Sequence, residues 1–296
     1  MLVSVKSVSD YQYDINSLKK HGKSFYWASF FLPRESKQIA SELYSICRYF
    51  DDLADASPKD LSEEIKTEYQ NIISNDTNEI NKFFKKNKIK ISILGDLVNG
   101  LLKDQVKVRI NTEAELIEYA YEVAGTVGLM MLPIILTDSP DARKHAIDLG
   151  IAMQLTNIAR DVHEDAKMDR LYLPRQWIGD TPIENLINVE KINLNEIKIV
   201  LKKLILLSDI FYQNGFSGLK YIPFKTRLAI FISAQIYKGI GEKIKKNRYD
   251  YDFKRTYLST FEKLCITLAS IPKFFLIKYI YKNYTPVRDT FRNENF

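Results

Sequence analysis

Cysteine is nearly absent: Cys47 and Cys265 are the only two in 296 residues. Two cysteines make no disulfide framework, and no C-x-x-C spacing offers a zinc site. A buried structural role is the better reading of Cys47, although it lies beside Arg48. Glycine and proline are scarce too, at 11 and 9. Long stretches carry neither, which argues against a turn-rich β fold and for helices. No uninterrupted apolar run reaches the ~18 residues of a membrane-spanning helix. Met1 to Lys20 has no continuous apolar stretch and carries Lys6, Asp10 and Asp14, so it does not read as a signal peptide. An apolar fraction of 46% is nonetheless ample for a sizeable core.

The net charge of +6 is clustered. One basic run holds Lys82, Lys85, Lys86, Lys88 and Lys90, and another holds Lys243, Lys245, Lys246 and Arg248. Solvated helix ends and loops account for the first. No nucleic-acid module accompanies the charge, so no nucleic-acid partner is expected. Phe261 to Tyr284 differs: apolar and aromatic residues alternate with Lys263, Lys273, Lys278 and Lys282. Such a helix either lies in a membrane interface or packs on the core with its lysines reaching outwards.

Acidic residues sit at helical spacing in two places. Asp51 and Asp55 are four apart, and so are Asp161 and Asp165. On a helix each pair stacks on one face, where like charges repel unless a cation lies between them. Tyr44, Arg48, Asp51, Asp52 and Asp55 form one polar stripe, and Gln154, Asn157, Asp161 and Asp165 form another. Both helices are otherwise apolar, with Ile39, Leu43 and Ile46 in one and Ile147, Ile151, Leu155 and Ile158 in the other. A single such motif is more often a solvated patch. Two matched stripes on apolar helices indicate an internal polar cavity, and facing carboxylates suit a hard divalent cation that also holds a diphosphate.

These segments and their flanks resemble the squalene/phytoene synthase family. The resemblance runs through His21-Gly22-Lys23-Ser24-Phe25, Leu32-Pro33, Tyr44 to Asp55, Val123 to Gly128, Ala152 to Asp165, and Arg170-Leu171-Tyr172-Leu173-Pro174. It covers residues ~21 to ~255 and is most like bacterial phytoene synthases. It implies head-to-head joining of two prenyl diphosphates through a cyclopropylcarbinyl diphosphate. The substrate it points to is geranylgeranyl diphosphate, and the product is phytoene, a carotenoid precursor. Farnesyl diphosphate, giving presqualene diphosphate or squalene, is the alternative. A catalytically silent assembly factor would be expected to lose metal carboxylates, and both pairs are intact here.

The resemblance assigns Asp51, Asp55, Asn157, Asp161 and Asp165 to metal and diphosphate. The expected cofactor is Mg²⁺, with Mn²⁺ as the alternative. Arg48, Arg160 and either Lys254 or Arg255 would contact diphosphate oxygens. Ser24, Phe25, Tyr119, Gln154 and Tyr237 would contact substrate, and Tyr237 is also a candidate catalytic residue. His163, two positions from Asp161, points elsewhere and reads as outlying or exposed. No glycine-rich strand–turn–helix fingerprint is visible, so no NADPH is expected. The expected location is the cytoplasm, with peripheral contact at the membrane face left open. Asp169 stands where the family commonly has glycine, at a position suited to positive φ.

The pattern predicts one all-α domain over 1–296 with a central cavity. Residues 1–20 are set apart as an extension and 258–284 as a C-terminal amphipathic helix. Helices are expected over about 34–54, 61–75, 91–106, 113–132, 139–165, 195–214, 225–247 and 258–284. The polar segment 76–90 is predicted as a loop flanking a helix, and 168–177 as a loop. Ser139 and Pro140 make a capped start for the longest helix. Tyr119, Val123 and Val127 share a face, where Gly125 and Gly128 make room for a ligand chain or a close helix.

Overall fold

The computed structural model describes residues 15–55, 61–105, 107–137, 139–188, 194–249, 255–281 and 283–288. The described residues are helical throughout and contain no strand; one isolated bridge joins Arg109 to Leu171. In order the helices are α1 (Ile15–His21), α2 (Lys23–Ser29), α3 (Arg34–Ala54), α4 (Ser62–Ser74), α5 (Glu79–Lys86), α6 (Ser92–Lys103) and α7 (Glu113–Ala120). A π-helical turn, Tyr121–Gly125, carries α7 into α8 (Thr126–Ile134). There follow α9 (Pro140–Lys167), α10 (Arg175–Ile178), α11 (Ile183–Ile187), α12 (Leu194–Ser217), α13 (Phe224–Lys246), α14 (Thr260–Phe275) and α15 (Ile277–Ile280).

The centre is α9, against which α8, α12, α13 and the π turn all pack. It buries Ile151, Ala152, Leu155, Ile158, Ala159 and Val162. A helix apolar on so many sides belongs inside a bundle. Pro140 opens it at the first helical position, where a missing N–H costs nothing. Ser139 precedes it, but its side chain makes no capping hydrogen bond.

Two glycines fix how closely α8 approaches α9. A Cβ on Gly128 would lie 2.2 Å from the Ala146 carbonyl oxygen, and one on Gly150 would lie 2.3 Å from that of Ala124. Any side chain there would push the helices apart, so close helix approach accounts for Gly128.

Three segments depart from expectation. The segment 76–90 contains α5, capped by Asn78, whose side chain accepts from the Ile80 and Asn81 amides. Ile80, Phe83 and Phe84 are buried at helical spacing that the interleaved lysines obscured. Residues 15–21, within the segment set apart as an extension, form α1, which packs on α3 and buries Leu18. The C-terminal helix ends at Phe275, one turn after Pro272, instead of running to Tyr284. A short α10 also follows Pro174, within the predicted 168–177 loop.

The sidedness of α14 is unusual. It buries Thr267, Ser270 and Phe274 against the bundle, and Trp27 Nε1 donates to Thr267 Oγ1 at 3.1 Å. Phe261, Leu264, Leu268, Ile271 and Phe275 face outwards and are exposed. Its start is fixed by a capping box between Ser259 and Glu262, and Lys243 pairs with Glu262 at 2.8 Å.

Candidate active site

The middle of the bundle is hollow. An elongated cavity of about 410 Å³ runs beside α9, bounded also by α2, α3, α8, α13 and the turn after α12. On α9 its lining residues run from Asn157 through Gln154, Gly150, Leu149 and Ala146 to Ala142. At the Asn157 end it joins a polar mouth of about 170 Å³. Asp51, Asp104, Tyr119, Gln154 and Asn157 line both spaces, so the mouth is continuous with the tunnel.

The two acidic stripes meet at this mouth. α3 brings Asp51 and Asp55, and α9 brings Asn157, Asp161 and Asp165. The stripes face each other because α3 and α9 both turn apolar faces into the core and polar faces to the cavity. Asp104, which ends α6, adds a fifth carboxylate. The sequence reading passed over Asp104 because no acid accompanies it at helical spacing. Its one signal is register, since Leu97, Leu101 and Asp104 lie on one face and all line the tunnel.

Arginines answer part of this charge. Arg48 bridges Asp51 at 2.8 Å and the more exposed Asp52 at 2.5 Å. Arg170 reaches Asp55 at 2.9 Å. Asp161 accepts from Arg160 at 2.7 and 2.5 Å and from Arg255 at 2.7 and 2.9 Å. Lys254 lies outside the described residues. Asp165 has no ion pair among the described residues; burial, with Asp161 next to it, pushes its carboxyl up to about 8. Burial likewise raises Asp51 and Asp104 to about 6, against the pull of Arg48 on the first and of Tyr172 and Arg170 on the second. Asp104 accepts from Tyr119 Oη at 2.9 Å and from Tyr172 Oη at 2.8 Å, and the two rings stack at 4.8 Å.

The donor set fits a hard cation in composition. Five carboxylates share one small cavity, and three of them are driven towards protonation. Asn157 Oδ1 is buried with no hydrogen-bond partner, an oxygen left over for a ligand. As the side chains stand, no three His, Cys, Asp or Glu groups among the described residues converge on one point, because the arginines hold several of them aside.

Where the mouth meets the tunnel, Phe25 and Tyr237 lie 4.8 Å apart between ring centroids, with Tyr44 at 6.5 Å from Phe25. All three line the cavity. Ser24 is half-buried on α2 and lines neither space. His163 is buried, not exposed: its Nδ1 donates to the Leu186 carbonyl at 3.2 Å, away from the carboxylates. Cys47 lines the tunnel, and burial pushes its thiol up to about 12, so it is no nucleophile. Asp169 adopts φ = 58° and its carboxylate pairs with Arg109, so an aspartate occupies the left-handed position by fastening itself to a neighbour.

The chain is similar to known proteins along most of its length. The profile of the family described as squalene/phytoene synthase matches residues 18–262. A phytoene synthase of Thermus thermophilus is 31% identical over 278 residues, covering 90% of this chain and 93% of its own. A 4,4'-diapophytoene synthase of Staphylococcus haemolyticus is 29% identical, covering 86% of this chain and 93% of its own. A crystal structure of a dehydrosqualene synthase in complex with ligand superposes with a TM-score of 0.76 at 29% identity, over 90% of this chain and 95% of that one. The chain belongs to the squalene/phytoene synthase family and is a prenyltransferase.

Proposed function

We propose that the protein joins two molecules of geranylgeranyl diphosphate head to head, through a cyclopropylcarbinyl diphosphate, to give phytoene. The observation that carries the C20 choice is the length of the tunnel. Its lining on α9 runs from Asn157 to Ala142. Fifteen residues of helix rise about 22 Å. An extended carbon chain advances roughly 1.25 Å per bond, so a C20 prenyl tail spans about 19 Å and a C15 tail about 14 Å. The deep wall includes small residues, Ala142 and Ala146 on α9, with Gly215 and Gly218, where a Cβ would run into Leu149 and His145.

Asp51, Asp55, Asn157, Asp161 and Asp165, joined by Asp104, are the residues that would hold a divalent cation, taken here as Mg²⁺. Bound there, the cation would neutralise the departing diphosphate. Arg48, Arg160, Arg170 and Arg255 now neutralise these carboxylates and would be free to turn to a ligand if a cation took their place. Their planar forks then suit diphosphate oxygens. Phe25, Tyr44 and Tyr237 turn aromatic rings towards the junction where an allylic cation would form, and a ring face stabilises it through its quadrupole. The apolar tunnel keeps water from that cation. Asp104 holds the hydroxyls of Tyr119 and Tyr172 beside the same junction.

The test is incubation with C15 or C20 prenyl diphosphate and Mg²⁺, with and without NADPH, followed by product identification. Phytoene from the C20 substrate with Mg²⁺ alone is the expected result. A farnesyl diphosphate reading is favoured by the likeness to a dehydrosqualene synthase. A C30 hydrocarbon formed in clear preference to phytoene would establish it, and a need for NADPH would identify squalene synthesis.

No helix among the described residues is long and apolar enough to cross a membrane. We propose that the outward face of α14 rests instead on an anionic membrane surface at the cytoplasmic side. Phe261, Leu264, Leu268, Ile271 and Phe275 form an unbroken exposed stripe, continued by Phe224 and Tyr279. Lys263 and Lys273 flank it and suit anionic headgroups at about 1 kcal/mol each. Vesicles containing phosphatidylserine should bind the protein more tightly than neutral ones, and salt should weaken the binding. Leu268→Ser with Phe275→Ser should abolish it. Binding unchanged by that pair, or none to either vesicle, would refute the membrane reading.

A further inference from the structure

At the end of the tunnel away from the carboxylates, α9 carries a second polar cluster that the proposed reaction does not use. Asp148 there is fully buried. Arg288, from the C-terminal segment, donates to it from Nε at 2.5 Å, and Asn214 of α12 donates to it at 2.9 Å. Asn214 also clamps the backbone of Thr285, donating to its carbonyl at 2.7 Å and accepting from its amide at 2.8 Å. Tyr284 lies between these anchors, with the Lys144 ammonium 4.6 Å from its ring centre. Residues 284–288 are thus strapped across α9 and α12 by one buried ion pair and one side-chain clamp.

Tyr284 of the strap meets the tunnel lining at His145. His145 lines the cavity, and the Tyr284 ring stands edge-on to its imidazole at 5.2 Å. Its Nδ1 donates to the Asn214 carbonyl at 2.7 Å. Behind it is Gly218, where a Cβ would come within 2.1 Å of the His145 Cβ. Ser217 Oγ lies 3.2 Å from the same Nδ1 and the Tyr221 ring 5.7 Å from the imidazole, so His145 is held from several sides, and the strap closes one of them.

Along α9, His145 lies twelve residues from Asn157, about 18 Å of helix rise. At roughly 1.25 Å per bond, a C15 tail ends well short of that level at about 14 Å, a C20 tail reaches it at about 19 Å, and a C25 tail overruns it at about 24 Å. We infer that the 284–288 strap is a positioning device that holds His145 as part of the floor of the tunnel, beside Ala142 one turn further along α9, and so limits the longest prenyl tail the enzyme accepts. The inference rests on the prenyl-tunnel reading above. Arg288, Asp148, Asn214 and Tyr284 act through His145 and touch no substrate.

The experiment measures kcat and KM with C15, C20 and C25 prenyl diphosphates for four variants. Tyr284→Ala removes the edge contact but no charge. Asp148→Asn with Arg288→Gln replaces the ion pair by neutral isosteres. His145→Ala removes that part of the floor itself and keeps the test open should the strap variants not fold. Tyr284→Phe retains the ring and serves as the conservative control. In the first three, kcat/KM for C25 relative to C20 should rise about tenfold or more, the scale of discrimination set by apolar fit. The change should fall mainly on KM for C25. Tyr284→Phe should match the parent, and both strap variants should leave C15 turnover within about twofold of it. A uniform loss across all three lengths would make the strap structural only and overturn the inference. An unchanged ratio in His145→Ala would do the same. If the parent protein turns over none of the three substrates, the prenyl-tunnel reading itself fails, which an unchanged ratio in an active enzyme would not imply.

Discussion

One helix carries two buried carboxylates with opposite surroundings. Asp148 lies in the first third of α9 and Asp165 in its last turn. Asp148 is met by Arg288 and Asn214, which offset part of the burial that raises its carboxyl. Asp165 has only the more distant field of Arg170 in its favour, with Asp161 and Asp104 against it. A carboxylate with a full set of partners holds structure together. One left short of positive charge stands ready for a cation, at a cost in stability to the metal-free protein. The acidic mouth is therefore the part of the molecule where stability is given up for function, and at the floor the buried charge has its partners in place.

The largest expected effect is at the floor. Asp148→Ala leaves the Arg288 guanidinium buried without its partner and should destabilise the protein by about 3–5 kcal/mol, read from chemical denaturation. Asp165→Asn should leave the melting temperature of the metal-free protein unchanged near pH 7, where the carboxyl is mostly protonated, and raise it above pH 8, where it removes an unpaired charge. Equal destabilisation by the two changes would break the contrast.

Asp51→Asn and Asp161→Asn test the mouth by activity. Each should lower turnover about a hundredfold or more, some 3 kcal/mol of lost transition-state stabilisation, with the fold intact by circular dichroism. Near-parental turnover in both would return the acidic stripes to the surface-patch reading.

The pH dependence sharpens the same point. Asp51 and Asp104 are raised to about 6 and Asp165 to about 8. A carboxyl raised on folding contributes stability below its unfolded value near 4, and that stability is lost as pH rises through the folded value. The metal-free protein should melt at lower temperature at pH 8 than at pH 5. Mg²⁺ should restore more at pH 8 than at pH 5, because its ligands must be deprotonated. Asp165→Asn should flatten the upper part of this profile in calorimetry.

The smallest effect concerns the loop beyond the mouth. Asp169→Gly relieves the positive φ but loses the pairing with Arg109 and Lys107. The two terms oppose each other, and the net change in stability should stay within about 1 kcal/mol.

The α3 stripe shows how much was legible in the sequence. Its bounds, Arg34 to Ala54, and its polar face were readable because Ile39, Leu43 and Ile46 repeat at helical spacing beside Arg48 and Asp51. Asp55, Asn157, Asp161 and Asp165 were found the same way, as pairs within one helix. Asp104 was not, because its partners Tyr119 and Tyr172 come from elsewhere in the chain. α5 was hidden by lysines between its buried phenylalanines, and α14 carried its apolar face outwards, where periodicity alone does not say which side meets the core.

The sequence by itself determined most of the long helices, the paired carboxylates and the family, since each rests on residues close together along the chain. Only the tertiary structure decided which carboxylates are compensated. Asp148 and Asp165 look alike on α9, but Arg288 lies 140 residues from the first, and no residue of the described chain pairs with the second. Local spacing sets the face on which a side chain lies. Folding sets what stands opposite, and a buried charge depends on what stands opposite it.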